Sequence, residues 1–183
     1  FILCFYRGIM KFRKFIPTMY QKNITSINYE KLKSSGIKCI LFDLDNTLLK
    51  KGDKKLEEKI EKKLILLKKD FKIIIISNNF KRKISKICSI IDVDFVSFSR
   101  KPFSFGFKKV TSRYNLKKEE ICIIGDQLVS DILGGNRYGI KTILVDPLGE
   151  KDLKITKVNR ILETFIFNSL KKQGVLERGI YYE

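Results

Sequence analysis

The feature that most limits what this chain can fold into is a set of short apolar runs that do not alternate. They occupy residues 37–42, 72–76, 93–98, 121–124 and 142–145. A strand with one wet face alternates apolar and polar residues. A continuous run suits a strand covered on both faces, as in a parallel sheet. Between the runs the period changes. Leu56, Ile60, Leu64 and Leu67 recur every three or four residues, as do Ile84, Ile87 and Ile91, then Phe107, Val110 and Tyr114; Ile132 sits in a fourth such segment. Strands alternating with helices predict an α/β fold, a doubly wound, Rossmann-like parallel sheet. Such sheets bind ligands at the carboxyl ends of their strands, near the switch in strand order.

The residues that follow each run are therefore informative. The first run ends in Asp43-Leu44-Asp45-Asn46-Thr47 and the second in Ser77-Asn78-Asn79. The third leads to Arg100-Lys101-Pro102, and the fourth to Gly125-Asp126, with Asp131 beyond. Asp and Ser often cap the helix after a strand, so one such residue says little. Together these segments bring an acid pair, a hydroxyl, an ammonium and a second acid pair to one sheet edge.

That set suits phosphoryl chemistry. Carboxylates repel a phosphate unless a cation intervenes. Asp43, Asp45 and Asp126 offer a few hard oxygen ligands, which suits Mg²⁺ that keeps several waters. Ser77 and Lys101 can hold phosphoryl oxygens by hydroxyl and by charge. One carboxylate can attack phosphorus to form an aspartyl-phosphate, and another can serve as acid and base. The chain contains no His, which excludes the Ser-His-Asp triad and any His-ligated metal. Cys4, Cys39, Cys88 and Cys122 form no CxxC pair, so neither a zinc site nor a redox motif is indicated.

The four segments resemble the four ordered motifs of the haloacid dehalogenase (HAD) phosphatases. That resemblance implies Asp43 as nucleophile and Asp45 as general acid/base. It implies Ser77, Asn78 and Lys101 as phosphate-binding residues. Asp43, Asp45, Asp126 and Asp131 would serve at the Mg²⁺ site, with Thr47 shaping the loop. Lys14-Phe15-Ile16-Pro17 and Asp131-Ile132-Leu133-Gly134-Gly135-Asn136-Arg137, read with the motifs above, are similar to the YqeG group of HAD subfamily IIIA. Ser130 stands where that group is expected to carry Thr. The group is related to the phosphatidylglycerophosphate phosphatases of mitochondria and plastids, which implies a lipid phosphate as substrate.

Spacing adds to the substrate argument. The gaps from Asp45 to Ser77 and from Ser77 to Lys101 are too short for a cap domain, which needs roughly 50 residues. An uncapped site suits a phosphate presented by something large. The net charge is +18, which attracts polyanions, an anionic membrane or a nucleic acid; lysines that simply fill exposed positions give the same total. Residues 1–20 mix Phe1, Phe5, Phe12, Phe15, Ile16 and Tyr20 with Arg7, Lys11, Arg13 and Lys14. They are read as an amphipathic segment preceding a single domain over 21–183. It either meets a membrane or packs on the domain. Residues 154–172 carry an apolar face with Ile161, Leu162, Phe165, Ile166 and Leu170, read as covering the sheet. Gly134, Gly135 and Gly139 read as a helix end and turn, and Arg137 as a candidate headgroup contact. No apolar run approaches the ~20 residues of a membrane span. The expectation is a cytoplasmic enzyme, peripheral at the inner face of the membrane; residue 1 is not Met, so the sequence is read either as starting naturally at Met10 or as a fragment. Two rivals stand beside it: a phosphatase acting on a nucleic-acid or protein phosphate, and a receiver-like domain that holds its phosphate.

Overall fold

The computed structural model describes residues 12–149 and 156–183. Among them six strands form one parallel sheet: β1 (Met19–Gln21), β2 (Cys39–Phe42), β3 (Lys72–Ile76), β4 (Asp94–Val96), β5 (Ile121–Gly125) and β6 (Lys141–Val145). Their spatial order is β1-β6-β5-β2-β3-β4. The helices are α1 (Tyr29–Ser34), α2 (Glu58–Leu67), α3 (Lys81–Ile91), α4 (Phe105–Tyr114), α5 (Leu133–Tyr138) and α6 (Thr156–Lys172). The doubly wound α/β sheet is as expected, with no inserted cap between the site loops.

Successive strand residues face opposite sides of the sheet. Ile40, Phe42, Ile73, Ile75, Cys122 and Ile124 join one core, with Leu64 of α2 and Ile84 and Ile87 of α3. Their neighbours Cys39, Leu41, Ile74, Ile76, Ile121 and Ile123 form the other, with Phe107 and Val110 of α4. Both faces are dry, so the runs cannot alternate. Each fully buried Ile or Leu contributes about 1.5–3 kcal/mol relative to exposure.

A third cluster lies at the β1 end of the sheet. Ile166, Phe167 and Leu170 of α6 pack with Tyr20, Leu128, Ile132 and Leu144, and Phe12, Phe15 and Ile16 lie against them. The apolar face expected over 154–172 therefore divides: Ile166 and Leu170 cover the sheet, while Ile161, Leu162 and Phe165 are exposed. Strand β1 runs across the boundary drawn at residue 20, and Asn136 Nδ2 donates to the carbonyls of Lys14 and Ile16 at 2.8 Å. Residues 12–20 thus pack on the domain. Phe1, Phe5, Arg7, Met10, Lys11 and the start of the 154–172 segment lie outside the described residues.

Some details differ from the sequence expectation. The acid pair follows the second strand in chain order, because β1 precedes it. Ile132 ends a π-helical turn, Leu128–Ile132, that runs directly into α5. Gly139, at φ +89, ends α5 as expected, whereas Gly134 and Gly135 lie inside the helix rather than at its end. Arg137 stands near that end, beside the start of β6. The headgroup role considered for it does not fit, since the site loops leave the opposite edge of the sheet.

Candidate active site

Register sets the level at which the loops leave the sheet. Phe42 pairs with Ile75 of β3 and Ile124 of β5, so Asp43, Ile76 and Gly125 stand side by side. From β2 the chain moves outward through β3 and β4, then returns to β5 on the other side. The crevice between β2 and β5 is therefore the switch point where such sheets bind ligands.

Lys101 joins the loops at this point. Its Nζ donates to Asp43 Oδ1 and Asp131 Oδ1, each at 2.6 Å, and to the Ile76 carbonyl at 3.1 Å. The three ammonium protons are thereby used. Burial pulls the Lys101 pKa down, yet Asp131 and Asp43 more than offset it and hold the group above its ordinary value. Asp43 sees one cation but further anions. Burial outweighs Lys101, Asp131 adds repulsion, and its carboxyl is pushed up to about 7. Burial also raises Asp126 well above the usual carboxylate range, with Asp43 and Asp131 adding to it.

Asp43, Asp126 and Asp131 offer carboxylate oxygens that all lie within 4.8 Å of one another. Three carboxylates against one ammonium leave excess negative charge in a poorly hydrated crevice. A hard divalent cation fits this donor set, which holds no thiolate or imidazole. The sequence provides for the cluster locally. Gly125 leaves room for the Asp131 carboxylate, which a Cβ there would overlap. Gln127 N donates to Asp131 Oδ2 at 3.2 Å, and Thr47 Oγ1 to Asp126 Oδ1 at 3.3 Å. Thr47 therefore touches the acid cluster as well as shaping its loop.

The remaining expected residues divide. Ser77 is buried at the end of β3, next to the carbonyl that Lys101 holds, and its Oγ accepts from Asn79 N at 3.2 Å. The Asn78 side chain is engaged within the protein. Its Oδ1 accepts from Lys101 N and Ser99 Oγ, both at 2.8 Å, and its Nδ2 donates to the Lys101 carbonyl at 3.0 Å. Its amide is committed to positioning the Lys101 loop. Asp45, expected also as a metal ligand, is not part of the acid trio; its carboxylate accepts from Asn79 Nδ2. Asn46, the next residue, takes φ 64, a conformation that Asn tolerates better than most residues. Asn79 was not singled out from sequence, although it closes the Ser77-Asn78-Asn79 segment. Glu163 was also missed; its carboxylate accepts from Val129 N at 3.1 Å and braces the turn that carries Asp131.

Comparison with known proteins agrees with this geometry. Residues 2–149 match the family described as mitochondrial PGP phosphatase. The chain is 38% identical over 167 residues to "Probable phosphatase YqeG" of Bacillus subtilis (strain 168), covering 89% of this chain and 95% of that protein. It is 25% identical over 177 residues to phosphatidylglycerophosphate phosphatase 1, chloroplastic/mitochondrial, of Arabidopsis thaliana. That alignment covers 90% of this chain but 51% of the plant protein, so the chain spans about half the length of that relative. A solved structure from Listeria monocytogenes serotype 4b superposes with a TM-score of 0.52 at 19% identity, over 71% of this chain and 98% of that one. A HAD-like family hydrolase from Porphyromonas gingivalis does so with a TM-score of 0.50 at 14% identity, over 69% and 98%. These structures speak for the fold alone. With residues 2–149 matched by that family and most of its length shared with the Bacillus phosphatase, the chain belongs to the mitochondrial PGP phosphatase family and is a phosphatase with the HAD fold.

Proposed function

We propose that this phosphatase is Mg²⁺-dependent, works through an aspartyl-phosphate on Asp43, and removes the phosphate of an anionic glycerolipid at a membrane surface. One observation carries the reaction: three carboxylates converge within 4.8 Å beside an ammonium that bonds two of them. Asp43, Asp126 and Asp131 would hold the ion, which supplies positive charge to balance carboxylates and phosphate. An Asp43 oxygen attacks phosphorus, and the bond from phosphorus to the leaving oxygen breaks. The Asp45 carboxyl, steadied by Asn79, gives that oxygen its proton. Asp45 then takes a proton from water, which attacks phosphorus and frees Asp43 and inorganic phosphate. The Ser77 hydroxyl would donate to a phosphoryl oxygen, and Lys101 would balance the phosphoryl charge, exchanging one of its present acceptors to donate directly.

Three facts support a lipid phosphate. No cap covers the site among the described residues, the chain carries a charge of +18, and the plant relative is named for phosphatidylglycerophosphate. That lipid is the named substrate in this reading. No helix among the described residues is long and apolar enough to cross a membrane, so the reading is one of peripheral contact with the anionic leaflet. The test offers the purified chain phosphatidylglycerophosphate in detergent micelles, a soluble sugar phosphate and a 5′-phosphorylated oligonucleotide. The lipid should show the highest kcat/KM. A much higher value for either of the others overturns the lipid assignment, and a stable phosphoprotein without turnover favours the receiver-like reading.

A further inference from the structure

Exposed aromatic residues crowd the two loops that carry Ser77 and Lys101. Phe80 is 73% exposed, Phe98 48%, Phe103 69% and Phe105 52%. Single exposed apolar residues are ordinary, but a contiguous group marks a surface that meets something apolar. The loops are stitched side by side. Phe98 N donates to the Asn79 carbonyl at 3.3 Å, and Ser99 N to that of Ser77 at 3.1 Å. Phe80 meets Phe98 edge to face, with centroids 5.1 Å apart. Phe103 N closes back on the Arg100 carbonyl at 2.8 Å. Gly106 packs so tightly on Ser99 that a Cβ there would fall 2.7 Å from Ser99 Cβ, which holds the start of α4, with Phe105, against the same loop. The rings are thus fixed at the carboxyl ends of β3 and β4, within a few residues of the groups that face the switch point.

The rings stand among cations. The Arg100 guanidinium lies 5.4 Å from the Phe105 centroid, and Lys81, Arg82 and Arg100 are exposed. Beside Phe80 runs a groove of about 500 Å³ lined by Lys54, Arg82, Lys86 and Ile87, with Asp53 its one carboxylate among the described residues. Apolar rings among Lys and Arg are what an anionic lipid interface attracts. A bilayer also suits the position. A surface lying on this rim presents its phosphates to the uncapped crevice, whereas the described aromatics of the amino-terminal segment, Phe12, Phe15 and Tyr20, are packed against the domain.

Resting on the lipid reading above, we infer that Phe80, Phe98, Phe103 and Phe105, with Arg82 and Arg100, form a docking surface for an anionic bilayer. The rings enter the interface and the guanidinium groups meet lipid phosphates. Docking turns the crevice between β2 and β5 toward the membrane.

Vesicle sedimentation of the full chain tests this. The vesicles are phosphatidylcholine alone or mixed with phosphatidylglycerol, and they contain no phosphatidylglycerophosphate, so binding is read apart from turnover. The chain should bind the mixed vesicles and not the neutral ones. Phe80→Ser/Phe103→Ser should weaken binding at least about ten-fold. Arg82→Gln/Arg100→Gln should weaken it and flatten its salt dependence. Phe165→Ser, in the separate exposed patch on α6, should change nothing. Melting curves confirm folding, and either single Phe→Ser substitution serves if the double variant melts early. The inference is overturned if the double variant binds like wild type, or if loss follows Phe165 instead. It is equally overturned if sedimentation velocity shows a dimer that Phe103→Ser dissociates, since the rim then meets a second copy. Vesicle binding without hydrolysis of phosphatidylglycerophosphate keeps the docking surface and removes the lipid substrate. Hydrolysis in micelles without vesicle binding does the reverse.

Discussion

Lys101 Nζ lies 2.6 Å from Oδ1 of Asp131, a side chain with no solvent exposure, and the same ammonium holds Asp43. Removing one partner of a buried ion pair strands the other, at a cost of about 3–5 kcal/mol. Lys101→Met should therefore lose both turnover and stability. Adding Asp131→Asn removes a stranded anion and should restore much of the stability but none of the turnover. Urea unfolding read beside phosphate release checks both. A Lys101→Met protein within about 0.5 kcal/mol of wild type would mean that the pair contributes little.

Asp43→Asn separates chemistry from folding. Burial already pushes the Asp43 carboxyl up to about 7, so a neutral isostere at this site is close to a state the native protein holds easily. The amide is a far weaker nucleophile. Turnover should vanish while the melting temperature stays near that of wild type. More than about a tenth of the wild-type rate, only ~1.4 kcal/mol of barrier, would sink Asp43 as nucleophile.

How much of this was legible in the sequence depends on how local each feature is. Strands β2, β3 and β5 are legible because two dry faces force unbroken apolar runs, while β6 opens with Lys141-Thr142 and the edge strand β4, with Asp94 at its start, is legible only from Val93, Phe95 and Val96. Strand β1 is not legible. It is three residues long, ends in Gln21, and owes its burial to α6 and to Tyr182, which bridges Tyr20 from the other end of the chain. The short α1 is held by its Asn28 cap, which accepts from Lys31 N at 3.0 Å; its six residues show too little period to read. Asp43, Ser77, Lys101, Asp126 and Asp131 could be placed because each follows a strand at a recognisable spacing. The direction of the Asn78 amide could not be, since it turns on a loop 23 residues away. Nor could the rim of Phe80, Phe98 and Phe103, which exists only because β4 lies beside β3.

The acid trio predicts a thermal response to metal. Repulsion among Asp43, Asp126 and Asp131 is greatest without a cation, and a ligand that binds only the native state adds RT ln(1 + [L]/Kd), about 2.7 kcal/mol at a hundred-fold excess over Kd. Mg²⁺ should raise Tm by roughly 5–10 °C over the value in EDTA. Asp126→Asn should abolish most of that rise, and turnover should vanish in chelator. Zn²⁺ should substitute poorly, because the trio offers only hard carboxylate oxygens. Equal Tm and undiminished turnover in EDTA would remove the metal from the reading.

Glu163 predicts a pH dependence of stability in the metal-free protein. Burial pushes its carboxyl from the ordinary 4.5 up to about 7; the Val129 N–H opposes this and Asp131 adds to it. Between those values the native state keeps a proton that the unfolded chain has released. The stability this contributes is present below about pH 4.5 and lost as pH rises through about 7. Glu163→Gln removes the titration, and its amide oxygen can still accept from Val129 N. In EDTA the variant and wild type should be close in stability at pH 5. At pH 8 the variant should be the more stable, by on the order of 2 kcal/mol. Asp43 and Asp126 add slopes of the same sign, but they are present in both proteins, so the difference between the two curves reports Glu163. Urea unfolding across pH 5 to 8 reads it directly, and curves that stay parallel would place Glu163 in contact with water rather than buried between α6 and the Leu128–Ile132 turn.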